Sequence, residues 1–186
     1  MRLKNVSLLL CLCFLGLGAA PAKAAKPIRC SLLTGAGIPV GGYWGGHFKS
    51  SFYTGGESEI EWSKNFATGM MFGYFFGYTD GMALKREFKN LHLTPYAKYT
   101  EPLGSGWQAS AMGGVGMYFV NYDDDAVVPD IDDSTKRYFG YMVGASLTKM
   151  FTPFLEVGID VRFHQVFRQE YMINTITPAL SMALHF

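Results

Sequence analysis

The sequence predicts an all-β fold, a closed eight-stranded antiparallel up-and-down barrel that crosses a membrane, and three observations predict it. Segments of 11 to 16 residues alternate in polarity with period two, as strands do and helices do not. Their connections are alternately short and long, which places both ends of an even-stranded sheet on one side. The segments are also longer than the usual five or six residues of globular strands, and suit the roughly 9 to 11 that cross a bilayer at a tilt.

The chain begins MRLKNVSLLLCLCFLGLGAAPAKA, with Arg2 and Lys4 ahead of an apolar run from about Val6 to Leu17 and an Ala22-Lys23-Ala24 ending. This is the pattern of a cleaved secretory signal peptide, and its apolar run falls short of the roughly 20 residues of a spanning helix. Residues 1–24 are therefore expected to be the signal peptide, with cleavage after Ala22 as the alternative, and residues 25–186 a single outer-membrane barrel domain. Cys11 and Cys13 leave with the signal, so Cys30 stays as one thiol with no disulfide partner. It follows Pro27-Ile28-Arg29, which is not a lipidation signal. Arg2, Lys4 and Lys23 leave too, so the 16 basic residues fall to 13 against 15 acidic ones, a net charge of about −2. That balance argues against nucleic acid as a partner. No cofactor or confident metal motif is present.

The first strand is expected at about 31 to 41, its limits blurred by Pro39 and several glycines. The second, at 47 to 62, puts Phe48, Phe52, Ile60 and Trp62 on one face and Lys49, Glu57, Glu59 and Glu61 on the other. The third, at 66 to 79, sets large Phe66, Met70, Phe72, Tyr74, Phe76 and Tyr78 against a mostly small face. In the fourth, at 87 to 99, Phe88 and Leu91 differ in parity, which implies a bulge near Lys89 or Asn90. The fifth and sixth, at 107 to 121 and 136 to 149, alternate in the same way. In the seventh, at 154 to 167, Leu155, Val157, Ile159, Val161 and Phe163 oppose Glu156, Asp160, Arg162 and His164. The eighth, at 172 to 186, aligns Ile176, Leu180, Met182, Leu184 and the terminal Phe186.

That last set looks like the C-terminal assembly signal of outer-membrane barrels. Together with LTPYAKYTEPLG, GGVGMYFV and YFGYMVGASLTKMFTPFLEVGIDVRFH, it makes nearly the whole mature chain similar to small eight-stranded outer-membrane proteins of the OmpA transmembrane-domain and OmpW kind. The resemblance implies a Gram-negative outer membrane, contact with its lipid and lipopolysaccharide, and folding by the barrel assembly machinery. It specifies architecture far better than function, since such barrels include adhesins, enzymes and anchors. No surface ligand follows from it.

With hydrocarbon outside, the charged faces meet inside. Lys49, Glu57, Glu59, Glu61, Lys98, Glu156, Asp160, Arg162 and His164, with His92 and His185, are expected to form a lumen charge network. Eight strands enclose a space only just wide enough for side chains, so the first expectation is a filled, non-conducting lumen with a structural or surface role. A narrow cation-preferring channel is the alternative, because acids outnumber bases toward the periplasmic end. Lipid A-modifying chemistry comes third. Asp160 and His164 are roughly 13 Å apart along one strand face, too far for a dyad, and no outward His or carboxylate neighbours Ser50 or Ser58.

Six aspartates, Asp123, Asp124, Asp125, Asp130, Asp132 and Asp133, crowd one long loop. They lack EF-hand spacing and are expected to be solvated; divalent-ion bridging to lipopolysaccharide phosphates is the alternative. Aromatic girdles are expected from Trp62, Tyr99, Trp107 and Phe186 at one interface and from Tyr43, Trp44, Tyr78 and Phe119 at the other.

Overall fold

A computed structural model describes residues 27–41, 45–46, 48–79, 86–124, 135–168 and 172–186. The expected signal peptide, Tyr43, Trp44, Asp125, Asp130, Asp132 and Asp133 lie outside the described residues. Eight strands follow one another: β1 (Ile28–Pro39), β2 (Ser51–Glu61), β3 (Phe66–Thr79), β4 (Arg86–Gly104), β5 (Trp107–Asp124), β6 (Lys136–Thr152), β7 (Leu155–Val166) and β8 (Ile173–His185). Each pairs antiparallel with the next, and β1 pairs with β8 to close a barrel. Closure leaves no open sheet edge, the condition for a sheet to sit in lipid. Backbone bonds between Ile28 and Phe186, at 2.9 and 3.2 Å, extend the seam to the last residue.

Alternation sorts the wall as expected. Val115, Phe139, Ile159, Val161 and Leu180 point outward and are half or more exposed, while their chain neighbours turn inward and are buried or half-buried. So broad an exposed apolar belt suits hydrocarbon rather than water. Both barrel ends of the chain and the short connections at 62–65, 105–106 and 153–154 share one rim, here the turn end; the longer connections share the loop end.

Five boundaries differ from the sequence expectation by three or more residues, among them the end of β5, at Asp124 rather than 121. β1 starts at Ile28 rather than 31, which brings Arg29 into the wall. β2 starts only at Ser51, so Lys49 is exposed ahead of it. β4 runs on to Gly104, leaving Ser105 and Gly106 as the turn. Both have positive φ, 52° and 78°, as a type I′ hairpin requires. β6 likewise extends to Thr152.

The expected bulge exists, but on the other strand of the pair. Phe75 pairs with Asn90 and Tyr78 with Phe88, so three steps along β3 match two along β4. The extra residue belongs to β3, where Gly77 adopts a φ of 132° that side chains rarely tolerate. The bulge reverses the parity of β3, and Tyr78 faces inward and buried, not into an outer girdle. The face of β3 that reads as small also carries Met71 and Phe75, both buried inside.

Candidate functional site

The lumen concentrates the polar chemistry of the chain. Odd positions of β1 and β2 turn Arg29, Ser31, Glu57 and Glu59 inward; even positions of β4 and β7 do the same for His92, Tyr96, Lys98, Glu156, Asp160, Arg162 and His164. Register then brings them together, pairing Arg29 with both Glu59 and His185, and Ser31 with Glu57.

Near the turn end, Glu59 accepts from Lys98 Nζ at 2.7 and 2.9 Å and from the Tyr96 hydroxyl at 2.5 Å. Arg29 spans the lumen, with Nη1 3.2 Å from Glu59 and Nη2 2.8 Å from Glu156. His185 Nε2 lies 2.9 Å from Glu156, and its Nδ1 lies 3.5 Å from Glu61 at the rim. One layer farther in, Arg162 Nη1 is 2.6 Å from Glu57 and Nη2 donates to Asp160 at 2.7 Å. Ser31 completes Glu57 with a 2.8 Å bond. Buried charges are costly unless paired, and here each buried carboxylate meets at least one cation.

A small cavity of about 180 Å³ opens at the turn end, lined by Glu61, Lys98, Glu156 and His185 among others. Beyond the Arg162 layer the filling changes character. Leu33, Tyr53, Phe75, Tyr78, Tyr118, Val120, Val166 and Ile173 form one buried apolar cluster in the loop half of the lumen. An eight-stranded barrel fits such rings only where the opposite wall is thin. At Gly37 a side chain would run into Tyr78 and Phe75, and at Gly73 into His92 and Tyr53. His92 and His164 lie at the boundary between the two fillings, with ring centroids 5.0 Å apart.

Of the expected network, Glu57, Glu59, Lys98, Glu156, Asp160 and Arg162 meet as ion pairs, and Glu61 reaches His185 at the rim. His164 is buried but bonded to Tyr118, not to a charge, and Lys49 stands outside the lumen altogether. Arg29, Ser31 and Tyr96 join the network beyond the residues the sequence points to. Extending the first strand by one alternation step would have found Arg29, and the parity of Lys98 would have found Tyr96. The aromatic cluster that fills the loop half lies beyond the charge network the sequence implies.

Asp123 and Asp124 end β5 opposite Glu87 and Arg86. Ile176, Leu180, Met182 and Phe186 all point outward and exposed, with Leu184 half-buried on the same face. Among the described residues, no group of three or more His, Cys, Asp or Glu is placed to hold a metal ion.

No protein-family model matches the sequence, and no curated protein matches it either. Solved structures do share its fold. The N-terminal β-barrel domain of Pseudomonas aeruginosa OprF superposes with a TM-score of 0.61 at 10% identity, over 88% of this chain and 100% of that one. Neisserial surface protein A gives 0.60 at 13% identity, over 86% and 94%. Ail, the attachment invasion locus protein of Yersinia pestis, in complex with the heparin analogue sucrose octasulfate, gives 0.57 at 13% identity, over 87% and 99%. At such identities the likeness is one of fold: this chain has the architecture of small eight-stranded outer-membrane barrels.

Proposed function

We propose that the protein is an integral barrel of a bacterial outer membrane, exported with a cleaved signal peptide and folded by the barrel assembly machinery. Its role is structural or surface-interacting, without catalysis, and its lumen passes no solute. The observation that carries this reading is the Arg162 guanidinium, which reaches 2.6 Å across the lumen to Glu57 and is held 2.7 Å from Asp160 on its own strand, with the Phe75 and Tyr53 rings filling the next layers. A hydrated cation would have to strip its water, part these pairs and displace the rings.

Absence of catalysis is supported by where the bases lie. Among the described residues, His92, His164 and His185 all belong to the lumen, and Ser58 on the outer wall has the Cys30 sulfur at 4.0 Å. A nucleophile needs a base within hydrogen-bond reach. A surface role falls to the long connections at the loop end, and lipid and lipopolysaccharide are the partners the wall would meet. Ail, whose name records attachment, shares this architecture and lends support to a surface role.

The test is reconstitution into planar bilayers, with heat-dependent gel mobility reporting the folded fraction. Folded protein should give silent bilayers. Stepwise, cation-selective conductance that weakens in Glu59→Gln would establish the narrow channel instead. A lipid A mass shift upon expression would establish an enzyme.

A further inference from the structure

The boundary between the ionic and aromatic fillings holds a set of groups that the sealed-lumen reading does not use. His92 and His164 are 0% and 1% exposed, and their rings meet at 58° with centroids 5.0 Å apart. Nδ1 of His164 is engaged by the Tyr118 hydroxyl at 3.1 Å, which aims Nε2 into the lumen. That Nε2 is buried and has no hydrogen-bond partner. His92 is only loosely held, 3.4 Å from the Tyr53 hydroxyl on one nitrogen and 3.4 Å from Thr94 on the other. Thioethers lie close by. Met142 is the cross-strand partner of His164, and Met71, whose sulfur is 3.9 Å from the Tyr53 hydroxyl, packs with Met142 in one buried cluster.

We infer that His92, His164 and the Met142 sulfur form a lumenal site for one soft monovalent metal ion, Cu(I) or Ag(I). The chemistry fits. Imidazole with thioether is a soft donor set that selects such ions, whereas calcium or magnesium would require oxygen ligands. Met142 is better placed than Met71, because Arg162 Nη1 already contacts the Met71 sulfur. Tyr118 acts as the outer-shell group that fixes the His164 ring for ligation. Charge fits as well. Arg162 sits between Glu57 and Asp160, and the buried lumen as a whole sets Arg29, Lys98 and Arg162 against Glu57, Glu59, Glu156 and Asp160. Three cations against four carboxylates leave one negative charge, which a monovalent ion would balance.

The test is to refold the full mature chain in chloride-free detergent with silver nitrate, so that entry into a closed barrel does not limit loading, and to measure metal content after gel filtration. Folded wild type should retain one silver ion per chain and unfold at a higher temperature than protein refolded without silver, because binding to the native state stabilises it. His92→Gln and His164→Gln should each lose the ion and the shift. Met142→Leu should weaken retention, and His185→Gln should keep it in full. Heat-dependent mobility confirms that each variant folds. Should the histidine variants not fold, nitrogen NMR of wild-type imidazoles decides: silver should move His92 and His164 and leave His185 in place. Wild type that retains no silver, or silver that moves only His185, overturns the site. Retention undiminished in a folded double variant of His92 and His164 overturns it too.

Discussion

The turn half and the loop half of this lumen solve the same problem with opposite chemistry. Both must fill a narrow cylinder whose wall is set by eight strands. In the turn half Arg29, Lys98 and Arg162 interlock with Glu57, Glu59, Glu156 and Asp160, and every contact is directional. In the loop half Tyr53, Phe75, Tyr78 and Tyr118 pack against Leu33, Val120 and Ile173, and volume is the main thing to match, with a few hydroxyl hydrogen bonds at the ring tips. Loss of one partner orphans a charge in the first half; in the second it leaves a gap. The two halves should therefore fail under different substitutions.

The largest effect belongs to the ionic half. Arg162→Ala leaves Glu57 and Asp160 without their shared cation, and removing one partner of a buried pair costs about 3–5 kcal/mol. Reversible urea unfolding in vesicles measures it, and a loss under about 1 kcal/mol would mean that water reaches these carboxylates. One residue away on the same strand, Val161 faces outward and is half exposed. Val161→Lys puts a charge against hydrocarbon and should cost about 2–4 kcal/mol near the bilayer midplane. Neighbours with opposite sensitivities would sharpen the contrast between inside and outside.

For the aromatic half the corresponding damage is overfilling. Gly37→Val drives a side chain into Tyr78 and Phe75 and should destabilise by about 1–3 kcal/mol. Adding Phe75→Leu should recover part of that loss, and a second substitution that gives no rescue would break the volume argument. The smallest effect tests a correction. Lys49 is exposed ahead of β2, so Lys49→Gln should change unfolding by no more than about 0.5 kcal/mol.

How much of this was legible in the sequence depends on how local the cause is. Alternation in HFKSSFYTGGESEIEW and FLEVGIDVRFHQVF already separates Glu57, Glu59, Glu156, Asp160 and Arg162 from the lipid-facing residues, because side-chain direction follows from the strand itself. Which charges meet is a product of register. Arg29 reaches Glu156, 127 residues away in sequence on β7, only because β1 closes against β8. The bulge shows the same limit: two clashing parities reveal an extra residue somewhere, but not that β3 carries it at Gly77 rather than β4. The aromatic half stayed hidden because small residues, Gly73 among them, dominate one face of the third strand. Gly73 is the room into which the Tyr53 and His92 rings fit, and the face that looks empty along the chain is full across it. Parity turns His92 and His164 inward, but nothing local says that the two rings, on β4 and β7, meet.

Everything rests on which side of the sheet meets acyl chains, and one measurement reads that directly. In Val161→Trp protein refolded into vesicles, brominated acyl chains should quench the added fluorescence above the background of Trp44, Trp62 and Trp107, while aqueous iodide should leave it untouched. Quenching by iodide but not by the brominated chains would place water against the outer wall and contradict the account.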